Sequence, residues 1–290
     1  MSKYIKSIER PRVNVLNKFV FFSLLLSGFI FISCNSDTRK KSNSTPTTNA
    51  ENKESVVMKM NTAEQILAKQ QVPVICYHRI ENGRNDEYTV SPATFELQIK
   101  TLADSGFHSI QPDQLYDYLV YNKTLPDKPF VITFDDSRVE HAEIAAPLLE
   151  KYGFRGAFFI MTITYNKKNY MKTEQIAQLA QAGHTIGMHS WDHTMLTKYK
   201  EPEDWQKQVV EPRKKLESIT GKPVDYWAHP YGIFNHESVV ELSKYFKLSF
   251  SLSTKRDSLM PLQTVRRIIS TEGSPQGLIR SMHRSFLNKK

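Results

Sequence analysis

The chain has 290 residues, 40% of them hydrophobic and 24% charged, with two cysteines and a formal charge of +9. That length allows one large domain or two small ones, and the ordinary composition excludes a repeat array or a coiled coil. Five basic side chains and one acid fall in residues 1–33, so the remainder carries about +5, too mild a charge to support a nucleic-acid role.

Residues 1–18 contain Lys3, Lys6, Arg10, Arg12 and Lys18 against the single acid Glu9, and "FVFFSLLLSGFIFIS" follows. A basic start and a short apolar core form the pattern of a secretory signal. The apolar run falls short of the roughly 20 residues that a spanning helix needs. Cys34, preceded by Ser33, resembles the end of a bacterial lipoprotein signal, with Phe31 where leucine is usual. The expectation is a signal peptide over 1–33 and a lipidated Cys34 at the start of an exported lipoprotein, anchored at the periplasmic face or the cell surface. An uncleaved apolar anchor is the alternative, and it tethers the domain equally. With Cys34 lipidated, Cys76 has no disulfide partner and the core must hold the fold. Residues 35–55, "NSDTRKKSNSTPTTNAENKES", are polar and aperiodic. Residues 34–71 therefore read as a flexible linker, with a short helix within 61–70. About 38 flexible residues reach roughly 35 Å r.m.s..

From Val72 to Lys290 the pattern becomes that of a folded domain. "VPVICYH" predicts a strand, and a helix over 92–104 follows with Ser91 as its cap. "FHSI" precedes a helix at 112–121, "PFVITFDD" one at 139–151, and "GAFFIM" one at 173–182 that Gly183 ends. "HTIGMHS" precedes a long helix at 203–220, and "VDYWAHPYG" a helix at 237–245. "LSFSL" and "VRRII" are the last strands, and 275–287 the last helix. Repeated strand–helix alternation, seven or eight units in all, predicts parallel strands covered by helices, in an incomplete or distorted (β/α) barrel, with seven strands the expectation. In such barrels chemistry sits where strands end. His78, Asp135, Asp136, His189 and the segment 229–231 all lie at or just after those ends.

In "GMHSWDHTML", His189 and His193 are spaced i, i+4, so one helical turn would put both imidazoles on one face. Two imidazoles and a carboxylate, with a position left open for water, form a common catalytic zinc arrangement. The plain alternative is a helix start with surface histidines. Asp135 and Asp136 follow an apolar strand, and adjacent side chains there point to opposite faces. One carboxylate as ligand and one as base would divide the labour; an Asx-type turn or a helix cap is the alternative.

"TFDDS", "HSWDH" and "HPYG", in that order, resemble the polysaccharide deacetylases with a NodB homology domain, carbohydrate esterase family 4. The resemblance covers most of residues 72–270. It implies a distorted (β/α) barrel that removes N-acetyl groups from N-acetylglucosamine polymers. It further implies Asp135 as general base, and Asp136, His189 and His193 as ligands of a divalent metal, Zn2+ first and Co2+ or Ni2+ after it. Pro230, Tyr231 and Gly232 would line the groove, with the Tyr231 N–H on the oxyanion. The pattern departs at Ser137, where glycine is common, and at Ala228, where an arginine that orients the base is usual. Arg266 and Arg267 are the candidates to replace it. The family's late histidine acid has no good counterpart, since His283 falls in a predicted helix. "VICYHRI" resembles instead the subgroup that deacetylates poly-N-acetylglucosamine exopolysaccharide, whose barrel is circularly permuted, and this makes His78 the candidate acid, with a histidine that packs against and positions the site as the alternative.

The implied partners are a polysaccharide and, through the N-terminal lipid, a membrane. A carbohydrate-binding domain with impaired catalysis and an O-acetyl esterase on the same fold are the alternatives. Trp191, Trp227, Tyr226 and Phe234 are candidates either for stacking on sugars or for packing. Cys76 reads as a buried apolar residue, and His108, His141, His184 and His236 as structural or exposed.

Overall fold

A computed structural model describes residues 59–84 and 86–287. The expected signal, Cys34 and most of the expected linker lie outside the described residues. In chain order the elements are α1 (Ala63–Ala68), β1 (Val74–Tyr77), β2 (Arg79–Ile80), β3 (Thr89–Val90), α2 (Pro92–Asp104), β4 (His108–Ser109), α3 (Pro112–Tyr121) and β5 (Pro129–Phe134). There follow α4 (Ala146–Lys151), β6 (Ala157–Ile160), α5 (Thr173–Gln181), β7 (Thr185–Met188), α6 (Pro202–Trp205), α7 (Glu211–Thr220) and β8 (Tyr226–Ala228). The last are α8 (His236–Leu242), β9 (Leu248–Ser251), β10 (Val265–Arg266), β11 (Ile268–Ile269) and α9 (Pro275–Met282).

The main sheet is parallel and runs β10-β9-β8-β7-β6-β5-β1-β11, with β4 beside the start of β5. Its two ends are halves of one segment, Val265–Ile269, interrupted only by Arg267. The Arg267 N–H donates to Ser251 O at 3.0 Å, and the Ser270 N–H donates to Cys76 O at 2.9 Å. One segment thus borders β9 on one side and β1 on the other. The sheet becomes a nearly closed barrel of eight strands, β10 and β11 sharing one position, within the seven or eight units that the alternation predicts. The β2–β3 pair forms a separate small sheet that the pattern did not announce.

Alternation along each strand decides what faces inward. Val74, Val131, Ala157, Phe159, Tyr226, Leu248, Phe250 and Val265 form one buried cluster inside the barrel. Ile75, Tyr77, Ile132, Phe134, Phe158, Ile160, Met188 and Trp227 pack outward against the helices. Gly187 is needed on β7 because a Cβ there would collide with the Phe159 ring that fills the barrel. Two residues further along the inward rows come Cys76, His189 and Arg267, with Asp135 two beyond Thr133. The apolar floor therefore hands over to a polar mouth at the strand C-terminal ends.

Two expected helices widen into π turns near their starts, and the expected last helix ends in one, His283–Leu287. His141–Ala145 and Gln206–Val210 are wide π turns that precede α4 and α7, and Pro147 and Pro212 open those helices. A proline lacks the N–H and crowds the carbonyl four residues back, so the helix widens there instead of continuing. The folded part also begins ahead of Val72. Thr62 caps α1, Ile66 is buried, and the Asn61 N–H donates to Val120 O at 2.8 Å. The expected linker boundary thus moves towards the N-terminus.

Candidate active site

Asp135 leaves the end of β5 with its N–H bonded to Tyr77 O at 3.0 Å. Its side chain is 1% exposed. Burying a carboxylate costs several kcal/mol unless the charge is met with good geometry. Arg267 meets it as a fork: Nη1 donates to Oδ1 at 2.8 Å and Nη2 to Oδ2 at 2.7 Å. Nη1 also donates to Thr133 Oγ1 at 3.2 Å, and that hydroxyl donates to Ile75 O at 2.9 Å. Burial pushes the carboxyl up, but the Arg267 guanidinium and then His189 more than offset it, holding the group well below the usual carboxylate range. Of the two candidate arginines, Arg267 takes the orienting place. Arg266 faces away, towards Ser285 O and the Phe286 ring.

Asp136 turns the other way through a left-handed backbone, φ 73°. Its Oδ1 lies 3.6 Å from His189 Nε2 and 3.6 Å from His193 Nε2. That oxygen is buried and has no hydrogen-bond partner. An orphaned anionic oxygen facing two imidazole nitrogens is what a divalent cation would satisfy, so the residues present fit a metal. The His189 Nδ1–H donates to Ala228 O at 2.8 Å, which leaves Nε2 free as the ligand atom. Burial lowers His193 to about 4, helped by His189, so its ring is neutral and ready to ligate. Burial pushes Asp136 up, but His189 holds it at about 2.

The two histidines do not share a helix. Residues 190–192 form a turn, with Ser190 and His193 at φ 64° and 71°. Ser190 Oγ accepts the His193 N–H at 2.8 Å, and Asp192 Oδ1 accepts from Thr194 N–H at 3.0 Å and Oγ1 at 2.6 Å. These side-chain bonds outcompete the helix that the spacing suggested. The rings still meet, with centroids 4.8 Å apart.

His78 follows β1 and places Nε2 3.9 Å from Asp135 Oδ2. Its carbonyl accepts from His141 Nε2–H at 2.6 Å, and His141 is wedged against Phe134 and Phe158. Pro230 and Gly232 are buried, while Tyr231 is 57% exposed at φ 59° and packs on the His193 ring at 4.4 Å between centroids. Among the described residues nine non-glycine residues have positive φ. Five of them, Asp136, Ser137, Ser190, His193 and Tyr231, surround this cleft, so backbone strain is concentrated where the side chains must converge.

The cleft encloses about 310 Å³ between His78, Tyr88, Asp135, Asp136, His189, His193 and Tyr231. A larger cleft of about 560 Å³, lined by Tyr116, Asp225, Phe246 and Leu262, holds neither cluster of metal-ligating groups found among the described residues. Trp227 and Tyr226 are buried in the barrel wall, Phe234 packs on His229, and Trp191 lies under Lys207. None of the four lines this cleft. His141 and His184 are buried, and His108 and His236 are surface residues bonded to Asp127 O and Asp257. His283 opens the last helical turn, away from the cleft. The links from Cys76 to Asp135 and from His141 to His78 had no sequence signal.

The sequence pattern of the family described as polysaccharide deacetylase matches residues 122–248. YxkH of Bacillus subtilis, named for polysaccharide deacetylation, is 27% identical over 173 residues, covering 60% of this chain and 61% of that protein. A Staphylococcus aureus protein named poly-beta-1,6-N-acetyl-D-glucosamine N-deacetylase is 28% identical over 184 residues, covering 58% and 62%. The solved Streptococcus pyogenes deacetylase PplD, in complex with acetate, superposes with a TM-score of 0.67 at 22% identity, covering 73% of this chain and 98% of that one, a likeness of fold. Residues 122–248 thus carry the polysaccharide deacetylase pattern, and Asp135, Asp136, His189, His193 and Tyr231 all fall within them. The chain spans about three-fifths of the length of the curated relatives it matches.

Both departures from the polysaccharide deacetylase pattern have a physical answer. Ser137 keeps the left-handed turn, φ 57°, and offsets its strain with an Oγ that accepts the Met161 N–H at 2.7 Å. Ala228 leaves no arginine on β8, and Arg267 reaches Asp135 from the closing segment instead.

Proposed function

We propose that this chain is a metal-dependent hydrolase that removes N-acetyl groups from an N-acetylglucosamine-containing polysaccharide, an exopolysaccharide ahead of peptidoglycan or chitin. One observation carries the reading: a fork-held, ionised Asp135 stands beside the Asp136–His189–His193 set in one cleft. The name of the S. aureus relative supports the choice of polymer.

A divalent ion held by Asp136, His189 and His193, Zn2+ or else Co2+ or Ni2+, would lower the pKa of water and polarise the acetyl carbonyl. Asp135 takes the proton of the attacking water through Oδ2, while Arg267 keeps the carboxylate charged and aimed. The Tyr231 N–H donates to the oxyanion as the carbonyl carbon becomes tetrahedral. His78, 3.9 Å from Asp135, gives a proton to the departing amine.

Purified protein is expected to release acetate from N-acetylglucosamine oligomers with Zn2+, Co2+ or Ni2+ and to lose that activity to a chelator. His78→Ala is expected to fall by about 10²-fold or more. Oligomer binding without release under any metal would instead make it a binding module. Release from O-acetylated xylan alone would make it an esterase, and an unchanged rate in His78→Ala would remove that residue as the acid.

We also infer an exported domain tethered through lipidated Cys34, a reading supported by the pattern of residues 1–34. Fatty-acid labelling in a bacterial host is expected for the parent and absent for Cys34→Ser; equal labelling, or none in either, would reject it.

A further inference from the structure

The barrel mouth holds a second set of ligand atoms beside the first. Cys76 Sγ lies 3.6 Å from Asp135 Oδ2 and 3.9 Å from His78 Nδ1. His78 Nε2 lies 3.9 Å from the same carboxylate oxygen. One ligand atom from each of the three residues falls within 4.8 Å of the others. On a tetrahedral ion, with metal–sulfur bonds of about 2.3 Å and metal–nitrogen or metal–oxygen bonds of about 2.0 Å, neighbouring ligands sit roughly 3.3–3.7 Å apart. The Asp136–His189–His193 set shows 3.6 Å on two of its edges. The Cys76 set shows 3.6 Å on its sulfur–carboxylate edge, with His78 reaching Cys76 through Nδ1 and Asp135 through Nε2, and it carries a sulfur that the first set lacks.

We propose that Cys76, His78 and Asp135 form a second, thiolate-containing cation site for a soft or borderline divalent ion, such as Zn2+ in excess, Co2+ or Cd2+. Sulfur selects such ions over Mg2+ and Ca2+, which take oxygen ligands. Binding breaks the Cys76 S–H bond, forms a metal–sulfur bond and passes one proton to the buffer. The ion takes a lone pair of Asp135 Oδ2 that already accepts from Arg267, and one nitrogen of His78 after the ring turns. Sharing an oxygen with a guanidinium and deprotonating a fully buried thiol both oppose binding, so this site fills after the Asp136 set. Where the proposed deacetylase reading holds, the consequence is inhibition by excess metal, because the ion occupies the base and the acid together.

The test is a Co2+ titration of the full chain carrying Cys34→Ser, in which Cys76 is the remaining thiol. The first equivalent is expected to bind without a thiolate-to-cobalt charge-transfer band. The second is expected to bring that near-ultraviolet band together with release of a proton, and acetate release should fall as the band grows. Adding Cys76→Ser should abolish the band and leave one equivalent bound. Saturation without the band, or a band that survives Cys76→Ser, would overturn the second site. A band with no acetate release at any metal loading would sink the deacetylase reading while leaving this site standing; acetate release with no band would do the reverse.

Discussion

Arg267→Met is expected to unfold at a clearly lower denaturant concentration than the parent, with about 3–5 kcal/mol of stability lost. The reason is the charge it strands. Asp135 sits inside the barrel at 1% side-chain exposure, and both of its oxygens are bonded to Arg267. A buried pair contributes little net stability compared with an apolar pair of the same shape, but removing one partner leaves the other uncompensated. The double variant Asp135→Asn/Arg267→Met removes both charges and is expected to recover most of the loss. Arg267→Lys keeps the charge without the two-pronged geometry and should fall between. A double variant no more stable than Arg267→Met would show that the stranded carboxylate is not the cause. Chemical denaturation of the four proteins, each without added metal, reads this directly.

Asp135→Asn is expected to reduce acetate release by about 10²–10⁴-fold, the usual worth of a positioned base, while the Asp136 set still binds one metal equivalent. Asparagine matches the shape of aspartate but offers Arg267 only one acceptor oxygen and leaves a buried cation unpaired, so stability falls too, and turnover is compared on protein shown by circular dichroism to be folded. Asp136→Asn should do the opposite and lose metal first, since Asp136 Oδ1 is the oxygen that faces both imidazoles. Metal lost from Asp135→Asn and retained by Asp136→Asn would mean that the two carboxylates have exchanged roles.

Much of the barrel could be read from the chain because short apolar strands alternate with helices over its whole length. The two carboxylates and two histidines stood out for the same reason: each follows a strand, where a parallel barrel opens. Other features were hidden by physics that spacing does not encode. His189 and His193 sit at helical separation, yet Ser190 and Asp192 spend their side chains on nearby N–H groups and bend the segment into a turn. Pro147 and Pro212 were visible, but their effect, a widened turn instead of a break, depends on what the helix packs against. Arg267 was half legible. Alternation from the inward Val265 puts Arg267 inward and Arg266 outward, but its partner lies 132 positions away, and only barrel closure brings the two together. The bond between His141 and the His78 carbonyl, spanning 63 positions, left no trace in the sequence.

The segment Val265–Ile269 has one further consequence. Five residues complete the cylinder and deliver the counter-charge to Asp135 in the same movement. Until that last strand docks, the carboxyl lacks the largest of the charges that hold it ionised, with His189 and His78 left to act on it. The fork that fixes both carboxylate oxygens is therefore present only in the closed cylinder. Closing the barrel and aiming the carboxylate are thus a single structural event, carried by the same five residues.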